Sequence, residues 1–308
     1  MGMLGEFKFL KKHKEQEGID LVIVSDMKVV HVLRYYLYSA ILKIPIATNF
    51  VEMASSMQHR TSTAIRINDY ILDKWCIKLF DGALPISDRL MAYYAAVAPT
   101  KPRLKLPILC DFKKFDIPAT KKEPYFLYCG SFRFKEVRDF IIQAYKLVAN
   151  DEKTKLYMII SGGSKSETAL LEQELNSHFK SRPIKLFANI PYAQLVQLNT
   201  NALALLIPLR PTVQDASRFP HKIGEYLASG NPVITTNIGE VRTYFEDGNT
   251  ALVADNYSIE SFAEKMKYVQ ENPERAASIG SNGRALGLKE FDFRTHGEPL
   301  KKFLREIT

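Results

Sequence analysis

The chain has 308 residues, a length that accommodates two domains of ordinary size with a core in each. Hydrophobic residues make up 46% of it and charged residues 25%, which is typical of a soluble globular protein. The formal net charge of +8 suits an anionic substrate, an anionic membrane surface or nucleic acid, but no arginine–aromatic motif accompanies it, so we expect no nucleic-acid partner.

No apolar run approaches the length that spans a bilayer, and the N-terminal segment lacks the features of a secretory signal. The cysteines Cys76, Cys110 and Cys129 are scattered along the chain. This pattern predicts buried thiols in a reducing cytoplasm rather than a disulfide framework or a metal site. We therefore expect a cytoplasmic protein.

Apolar runs alternate with helical periodicities along residues 1–118. The predicted strands of this part are 19–25, 44–48, 82–87 and 104–108. A helix is predicted before each of the last three strands, among them 67–80 and 88–97, and this alternation predicts a parallel sheet with right-handed crossovers. The polar, proline-marked segment 110–120 is predicted to be a linker.

The C-terminal part shows the same alternation. Its predicted strands are 124–129, 155–161, 184–189, 202–208, 233–236 and 250–253, and its last predicted helices are 258–270, 272–291 and 293–307. Pro220 suits the first turn of a further helix, and Gly230 suits a left-handed cap at its end. Lys222 and Glu225 lie nearly one turn apart on this helix, which is compatible with a surface ion pair or with a binding site.

The stretch 219–236, FPHKIGEYLASGNPVITT, resembles the nucleotide-sugar transferases of glycosyltransferase family four. In that family a helix carries two glutamates separated by seven residues, followed by a small-residue turn and Pro-Val-Ile. Glu225 matches the second glutamate, whereas Ser217 stands where the first is usual. The spelling P-x-K-x-x-E-Y from Pro220 to Tyr226 is similar to a branch associated with surface polysaccharides.

The resemblance covers residues 17–308 and is strongest from residue 124. It implies an α/β protein of the GT-B fold, with two facing Rossmann-like domains and parallel sheets. Residues 1–118 would be an abbreviated acceptor-side domain that lacks the first strands and the glycine-rich loop. Residues 119–292 would bind the donor, and the helix 293–308 would return to the N-terminal domain.

The turn after strand 124–129 predicts an anion site, because backbone amides and a nearby cation there neutralise phosphate. Basic residues are unfavourable at a helix start unless an anion is near, although two solvated charges are the simpler alternative. The resemblance implies that the donor is bound by Gly130, Ser131, Arg133, Lys135, Ile190, Pro191, Ser217, Arg218, Phe219, Lys222 and Glu225.

Within this set, the backbone of Ile190 and Pro191 would read the nucleotide base and Glu225 would accept hydrogen bonds from the ribose. Lys135 would stabilise the leaving diphosphate and is a catalytic candidate. The second candidate is Glu52, the carboxylate of a loop where the family often carries a histidine. A loop glutamate is more commonly just solvated, and that alternative stays open.

The resemblance implies a retaining transferase that moves a sugar from a UDP- or GDP-sugar to a glycan or lipid-linked acceptor, with no cofactor and no metal. A peripheral contact with the inner membrane surface is compatible with the basic charge. Two alternatives remain from the sequence: a non-catalytic donor-binding or partner protein, favoured by Ser217 and the missing strands, and a sugar-nucleotide epimerase of the same fold.

Overall fold

The computed structural model describes residues 2–118, 120, 124–148, 154–178 and 184–308. Two compact units are present. The first contains the residues up to Pro107 together with Ala216–Phe219 and His296–Thr308, and the second contains Ile108–Asp215 and Pro220–Thr295. The expected boundary between residues 118 and 119 falls inside the second unit, at Ala119, which lies outside the described residues.

The secondary structure alternates strand and helix along most of the chain. The strands are β1 (Val22–Val24), β2 (Ile46–Phe50), β3 (Gly82–Pro85), β4 (Tyr125–Ser131), β5 (Lys155–Ser161), β6 (Lys185–Phe187), β7 (Ala204–Ile207), β8 (Val233–Thr236) and β9 (Leu252–Ala254). The helices are α1 (Met3–Gln16), α2 (Val29–Leu42), α3 (Thr63–Lys74), α4 (Asp88–Val97), α5 (Lys135–Val148), α6 (Lys165–His178), α7 (Tyr192–Asn201), α8 (Val213–Ser217), α9 (Lys222–Ser229), α10 (Val241–Tyr244), α11 (Ile259–Glu271), α12 (Pro273–Phe291) and α13 (Gly297–Ile307).

The first unit is built on a parallel sheet with the strand order β1-β2-β3. The C-terminal helix α13 is part of this unit, and its Phe303 and Ile307 pack with Ala47 and Leu84 in one buried cluster. Burial of these side chains stabilises the unit, since each fully buried aliphatic or aromatic side chain contributes about 1.5–3 kcal/mol.

The strand predictions for the first unit need correction: β1 covers only Val22–Val24 of 19–25, and β3 ends at Pro85 instead of residue 87. The predicted strand 104–108 is wrong: Leu104 and Leu106 donate to carbonyls of β3, but Pro102 and Pro107 have no amide hydrogen to continue a ladder. The predicted strand 44–48 begins two residues later than expected, at Ile46. The amide of Ile44 is used by the end of α2, where it donates to the carbonyl of Ser39 at 3.0 Å.

The second unit is built on a six-stranded parallel sheet with the order β6-β5-β4-β7-β8-β9. Near-continuous apolar runs form its central strands, as expected for a parallel sheet covered by helices on both faces. Helix α9 ends at Gly230, whose φ of 78° is the left-handed conformation that glycine adopts without strain. The predicted strands 155–161 and 233–236 match β5 and β8 to the residue.

Candidate functional site

The strand order of the second unit locates a crevice. Its first strand, β4, lies between β5 and β7, so the sheet grows outward in both directions from the β4–β7 pair. In open parallel sheets, ligands bind beyond the carboxyl ends of the strands at this point of reversal. The ends of β4 and β7 are Ser131 and Ile207, and the groups beside them are therefore candidates for a binding site.

Helix α9 is fastened to the end of β4. The ammonium group of Lys222 donates to the carbonyl of Cys129 at 3.0 Å, and the amide of Cys129 donates to the hydroxyl of Tyr226 at 2.9 Å. Tyr226 is fully buried, which fixes the helix against the strand. The two hydrogen bonds place the positive charge of Lys222 next to Gly130 and Ser131, as a site for an anion requires.

Gly130 is needed at the end of β4 because the ring of Tyr128 lies across it. A Cβ atom at Gly130 would stand 2.0 Å from the hydroxyl oxygen of Tyr128, closer than atoms can approach. Ser131 then begins the turn into α5, accepting from the amide of Phe134 at 3.1 Å. Lys135 is the first residue of α5, and its side chain is exposed, as is that of Arg133.

Glu225 lies on α9 beside the start of α7. The hydroxyl of Tyr192 lies close to its carboxylate. Burial raises the pKa of Glu225, while the nearby Tyr192 hydroxyl and the charge of Lys222 oppose that rise. The same partial burial, together with the negative charge of Glu225, raises the pKa of Tyr192 to about 12.

Tyr192 directly follows Ile190 and Pro191 and was not predicted as a site residue. Its ring is half exposed, and the ammonium of Lys114 lies 5.6 Å from the ring centroid. One aromatic side chain therefore links Ile190 and Pro191, the positions expected to contact the base, to the neighbourhood of the Glu225 carboxylate. An aromatic residue opening the helix after Ile190-Pro191 was the available sequence signal.

A second feature missed by the sequence analysis follows β7. The guanidinium of Arg210 is buried and donates to both carboxylate oxygens of Asp215, through Nε at 2.7 Å and through Nη2 at 3.0 Å. It also donates to Glu136 through Nη1 and to Gln214 at 3.3 Å. Burial alone would lower the pKa of Arg210, but these carboxylates raise it well above its usual range.

The remaining predicted donor residues, Ser217, Arg218 and Phe219, belong to the first unit. Ser217 is fully buried, and its carbonyl accepts from the hydroxyl of Ser87 at 2.5 Å. Phe219 is also buried. Arg218 forms an ion pair with Glu52, with 3.6 Å between Nη1 and Oε1. This ion pair connects Arg218, a predicted donor-binding residue, to Glu52, the predicted catalytic carboxylate.

Glu52 lines a cavity of about 420 Å³ within the first unit, at the carboxyl ends of β1 and β2. Asp26 and Asp73 line it too. Asp73 is buried, and its carboxylate accepts the amides of Ala54 and Ser55 at 3.3 and 2.8 Å. Burial nevertheless raises the pKa of Asp73. The cavity has three carboxyl side chains in its lining, those of Asp26, Glu52 and Asp73.

The described residues contain neither a metal-binding cluster nor a helix that could cross a membrane. Residues 2–118, 120, 124–148, 154–178 and 184–308 hold no cluster of three or more His, Cys, Asp or Glu side chains placed for a metal ion. In the same part of the chain, every helix is too short or too polar to cross a bilayer.

Solved structures of glycosyltransferases share this fold. Sucrose-phosphate synthase from Thermosynechococcus elongatus aligns with a TM-score of 0.75 and 16% identity, over 99% of this chain and 78% of that one. The Anabaena protein Alr3699/HepE in complex with UDP-glucose aligns with a TM-score of 0.74 and 14% identity, over 98% and 84%. A glycosyltransferase from Rickettsia africae gives 0.74 and 14% identity, over 99% and 81%.

A search of curated protein sequences returns no match. The sequence profile described as "Glycosyl transferases group 1" matches residues 111–286, more than half of the chain. This region contains the β4–β7 crevice with Lys135, Lys222 and Glu225. The structural neighbours are glycosyltransferases of the GT-B fold, an α/β fold with parallel sheets like those described above. The chain therefore belongs to the glycosyl transferases group 1 family and has the GT-B fold.

Proposed function

We propose that this protein is a retaining glycosyltransferase of family four. It moves a sugar from a nucleoside-diphosphate sugar to a hydroxyl of a glycan or lipid-linked acceptor, in the synthesis of surface polysaccharide. One observation carries the donor assignment: Lys222 is fastened to the end of β4 at the sheet reversal, with the carboxylate of Glu225 nearly one turn away. A cation and a carboxylate in this order suit a phosphate and a ribose.

The donor is bound by the second unit. Lys222, Arg133 and Lys135 supply positive charge for the diphosphate, and the amides of the turn at Gly130 and Ser131 add partial positive charge. Glu225 accepts the ribose hydroxyls, and the backbone of Ile190 and Pro191 contacts the base. The Anabaena neighbour was crystallised with UDP-glucose, which makes UDP-glucose the first donor to test.

In the proposed reaction, the acceptor oxygen forms a bond to the anomeric carbon while the bond from that carbon to the phosphate oxygen breaks. The electron pair leaves with the nucleoside diphosphate, and the proton of the attacking hydroxyl passes to a phosphate oxygen on the same face. Lys135 stabilises the charge that develops on the diphosphate. Electrostatic stabilisation of this kind is usually the largest contribution to catalysis, and it needs no metal ion here.

Glu52 is the proposed catalytic carboxylate of the first unit, and Arg218 holds it by an ion pair. Ser217 stands where the family has a glutamate that contacts the sugar. Its side chain is shorter and fully buried, so it does not make that contact. Asp215, a neighbouring carboxylate, has both oxygens engaged by Arg210. Of the two charged residues beside Ser217 in the sequence, Arg218 is therefore the one proposed to contact the sugar.

The burial of Ser217 also favours a second candidate function, a non-catalytic donor-binding protein. Affinity would then come almost wholly from the nucleotide and the diphosphate. A comparison of UDP with a panel of UDP- and GDP-sugars separates the two. A gain of about tenfold for one sugar, roughly 1.4 kcal/mol, supports a sugar pocket and the enzyme, and equal affinity throughout supports the binding protein.

The direct test of the proposed function measures turnover. The purified chain is incubated with UDP-glucose or a GDP-sugar, with and without lipid-linked and free glycan acceptors, and the released nucleoside diphosphate and the product anomer are measured. Acceptor-dependent release with retained configuration at the anomeric carbon supports the proposal. An inverted product would contradict the retaining mechanism, and the absence of release with a donor that binds would favour the binding protein. The cytoplasmic, membrane-peripheral location we propose is tested by fractionation of cells.

A further inference from the structure

We propose that Arg210 is a positioning residue that holds Lys135 in place for the donor diphosphate. This inference deepens the proposed function and rests on it. Arg210 stands just after β7, and Lys135 stands just after β4, so the two residues follow the two strands at the sheet reversal.

Arg210 contacts both sequence neighbours of Lys135. Its Nη1 donates to the carboxylate of Glu136, and its guanidinium lies over the ring of Phe134, 5.3 Å from the centroid. Phe134 directly precedes Lys135 and Glu136 directly follows it. Fixing the residues on both sides restricts the backbone of Lys135, and with it the origin of the side chain that reaches for the phosphate.

Arg210 is itself held rigidly. The carboxylate of Asp215 accepts two hydrogen bonds from Nε and Nη2 of Arg210 in a bidentate pair. The backbone amide of Arg210 donates to the same carboxylate at 2.9 Å. Gln214 accepts a further bond from Nη2. A planar guanidinium with this many fixed donors makes a stiff bridge from the loop after β7 to the first turn of α5, which a lysine could not reproduce.

Arg210 is not a phosphate ligand in this arrangement. Each of its three guanidinium nitrogens donates to a protein oxygen, and the carboxylates of Asp215 and Glu136 neutralise its charge. Only about 5% of its side chain is exposed. The side chain of Lys135, by contrast, is exposed at the start of α5. Arg210 therefore acts through Lys135.

The test is a double-mutant cycle with UDP as the probe, measured by calorimetry. Arg210→Lys is expected to weaken UDP binding on the order of tenfold in the wild-type background. In the Lys135→Ala background the same substitution is expected to have little further effect, because the side chain that Arg210 positions is gone. Additive losses would overturn the proposal, since they would show that Arg210 acts on the ligand by itself.

Glu136→Ala serves as a gentler second variant if Arg210→Lys folds poorly. The Glu136 side chain is largely exposed, so this change cuts the link to α5 and leaves the Asp215 pair intact. It is expected to weaken UDP binding by a smaller factor, again only when Lys135 is present. Unchanged affinity in this variant, with the fold intact, would contradict the proposal.

The matched control is Arg60→Lys in the first unit, where Arg60 holds the buried Asp69 with an Nε–Oδ2 distance of 2.7 Å. This variant loses a comparable arginine–aspartate pair and should lower thermal stability, but UDP affinity should not change. An equal loss of UDP affinity in the control would assign the effect of Arg210 to general destabilisation and overturn the positioning role.

Hydrogen exchange keeps the inference separate from the proposed function. The amides of Phe134 and Arg138, which donate to Ser131 and Phe134, should exchange faster in Arg210→Lys and at the wild-type rate in Arg60→Lys. If the wild-type chain binds neither UDP nor GDP, the proposed function fails while faster exchange still shows that Arg210 orders this turn. Unchanged exchange would refute the positioning role with or without a nucleotide.

Discussion

The two units present opposite charges at the ends of their strands. In the second unit, Lys222 is fastened to the end of β4 and Lys135 opens the next helix. In the first unit, the cavity at the ends of β1 and β2 has Asp26, Glu52 and Asp73 in its lining, and none of the described side chains that line it is basic. Two parallel sheets thus end in side chains of opposite charge.

This difference suggests a division of labour. A diphosphate needs the cations of the second unit, and it would be repelled by the carboxylates of the first. A neutral polyhydroxyl acceptor suits carboxylates, which accept hydrogen bonds from its hydroxyls. The charge of Glu52 is partly compensated by Arg218, and the carboxylate of Asp26 is hydrogen-bonded to the ring of His31. The cavity therefore remains compatible with an uncharged ligand.

The largest expected effect concerns Glu52 in the acidic cavity of the first unit. Glu52→Gln should lower turnover on the order of 100-fold, because the loss of one group that stabilises developing charge in the transition state costs about 10²–10³-fold. Affinity for UDP should stay the same, since that site belongs to the second unit. Steady-state kinetics and calorimetry on one preparation check both. Glu264→Gln, on the exposed face of α11, is the control, and turnover equal to wild type in Glu52→Gln would return Glu52 to a structural role.

The next effect concerns the cations of the second unit. Lys135→Ala should weaken UDP binding by up to about 3 kcal/mol, or roughly 150-fold, because a hydrogen bond to a charged group is lost. Lys146→Ala, in the last turn of the same helix, provides the matched control and should leave the affinity unchanged. Equal affinities of the two variants in calorimetry would remove Lys135 from the donor site.

Glu225→Gln tests the acidic residue of the same site. We expect a loss of about 1.5 kcal/mol in UDP affinity, near the lower end for a charge-assisted hydrogen bond, because glutamine keeps one acceptor oxygen. If Glu225 were only a surface partner of Lys222, the substitution would change stability within about 0.5 kcal/mol and leave affinity alone. Thermal unfolding and calorimetry of this one variant separate the outcomes.

The pH dependence of binding is the smallest effect and follows from the raised pKa of Glu225. Only the ionised carboxylate accepts at both oxygens, so UDP affinity should fall as pH drops through a pKa above the ordinary 4.5. Without nucleotide the sign is reversed. The native state holds this proton more tightly than the unfolded state, so the free energy of unfolding decreases as pH rises from 4.5 through the native pKa. Both trends should be absent in Glu225→Gln, and a trend that persists there belongs to another group.

Regular elements with a strong pattern were predictable from the sequence. The strands 155–161 and 233–236 are apolar runs bounded by turn residues, and they match β5 and β8. The helix ending at Gly230 was predicted for the same reason, since the glycine cap is a local signal. The predicted strands were wrong where a helix end uses the backbone amide, as at Ile44, and where prolines have no amide hydrogen, as around 104–108.

The site was predictable only in part. Lys222 and Glu225 carry a spacing that the sequence shows directly, and the structure places Lys222 at the strand end. The roles of Arg210 and Tyr192 depend on partners far away in sequence, Glu136 and Glu225, which no local pattern connects. An arginine three residues after a buried strand, with an aspartate five residues further on, was the available signal for the Arg210 network.

We propose that the second unit binds a nucleoside diphosphate with its own cations. A calorimetric titration of the wild-type chain with UDP and with GDP, in buffer that contains EDTA, tests this directly. We expect one of the two nucleotides to bind at one site per chain, and we expect Lys135→Ala to weaken this binding strongly. Binding that requires an added divalent cation, or the absence of binding by both nucleotides, would contradict it.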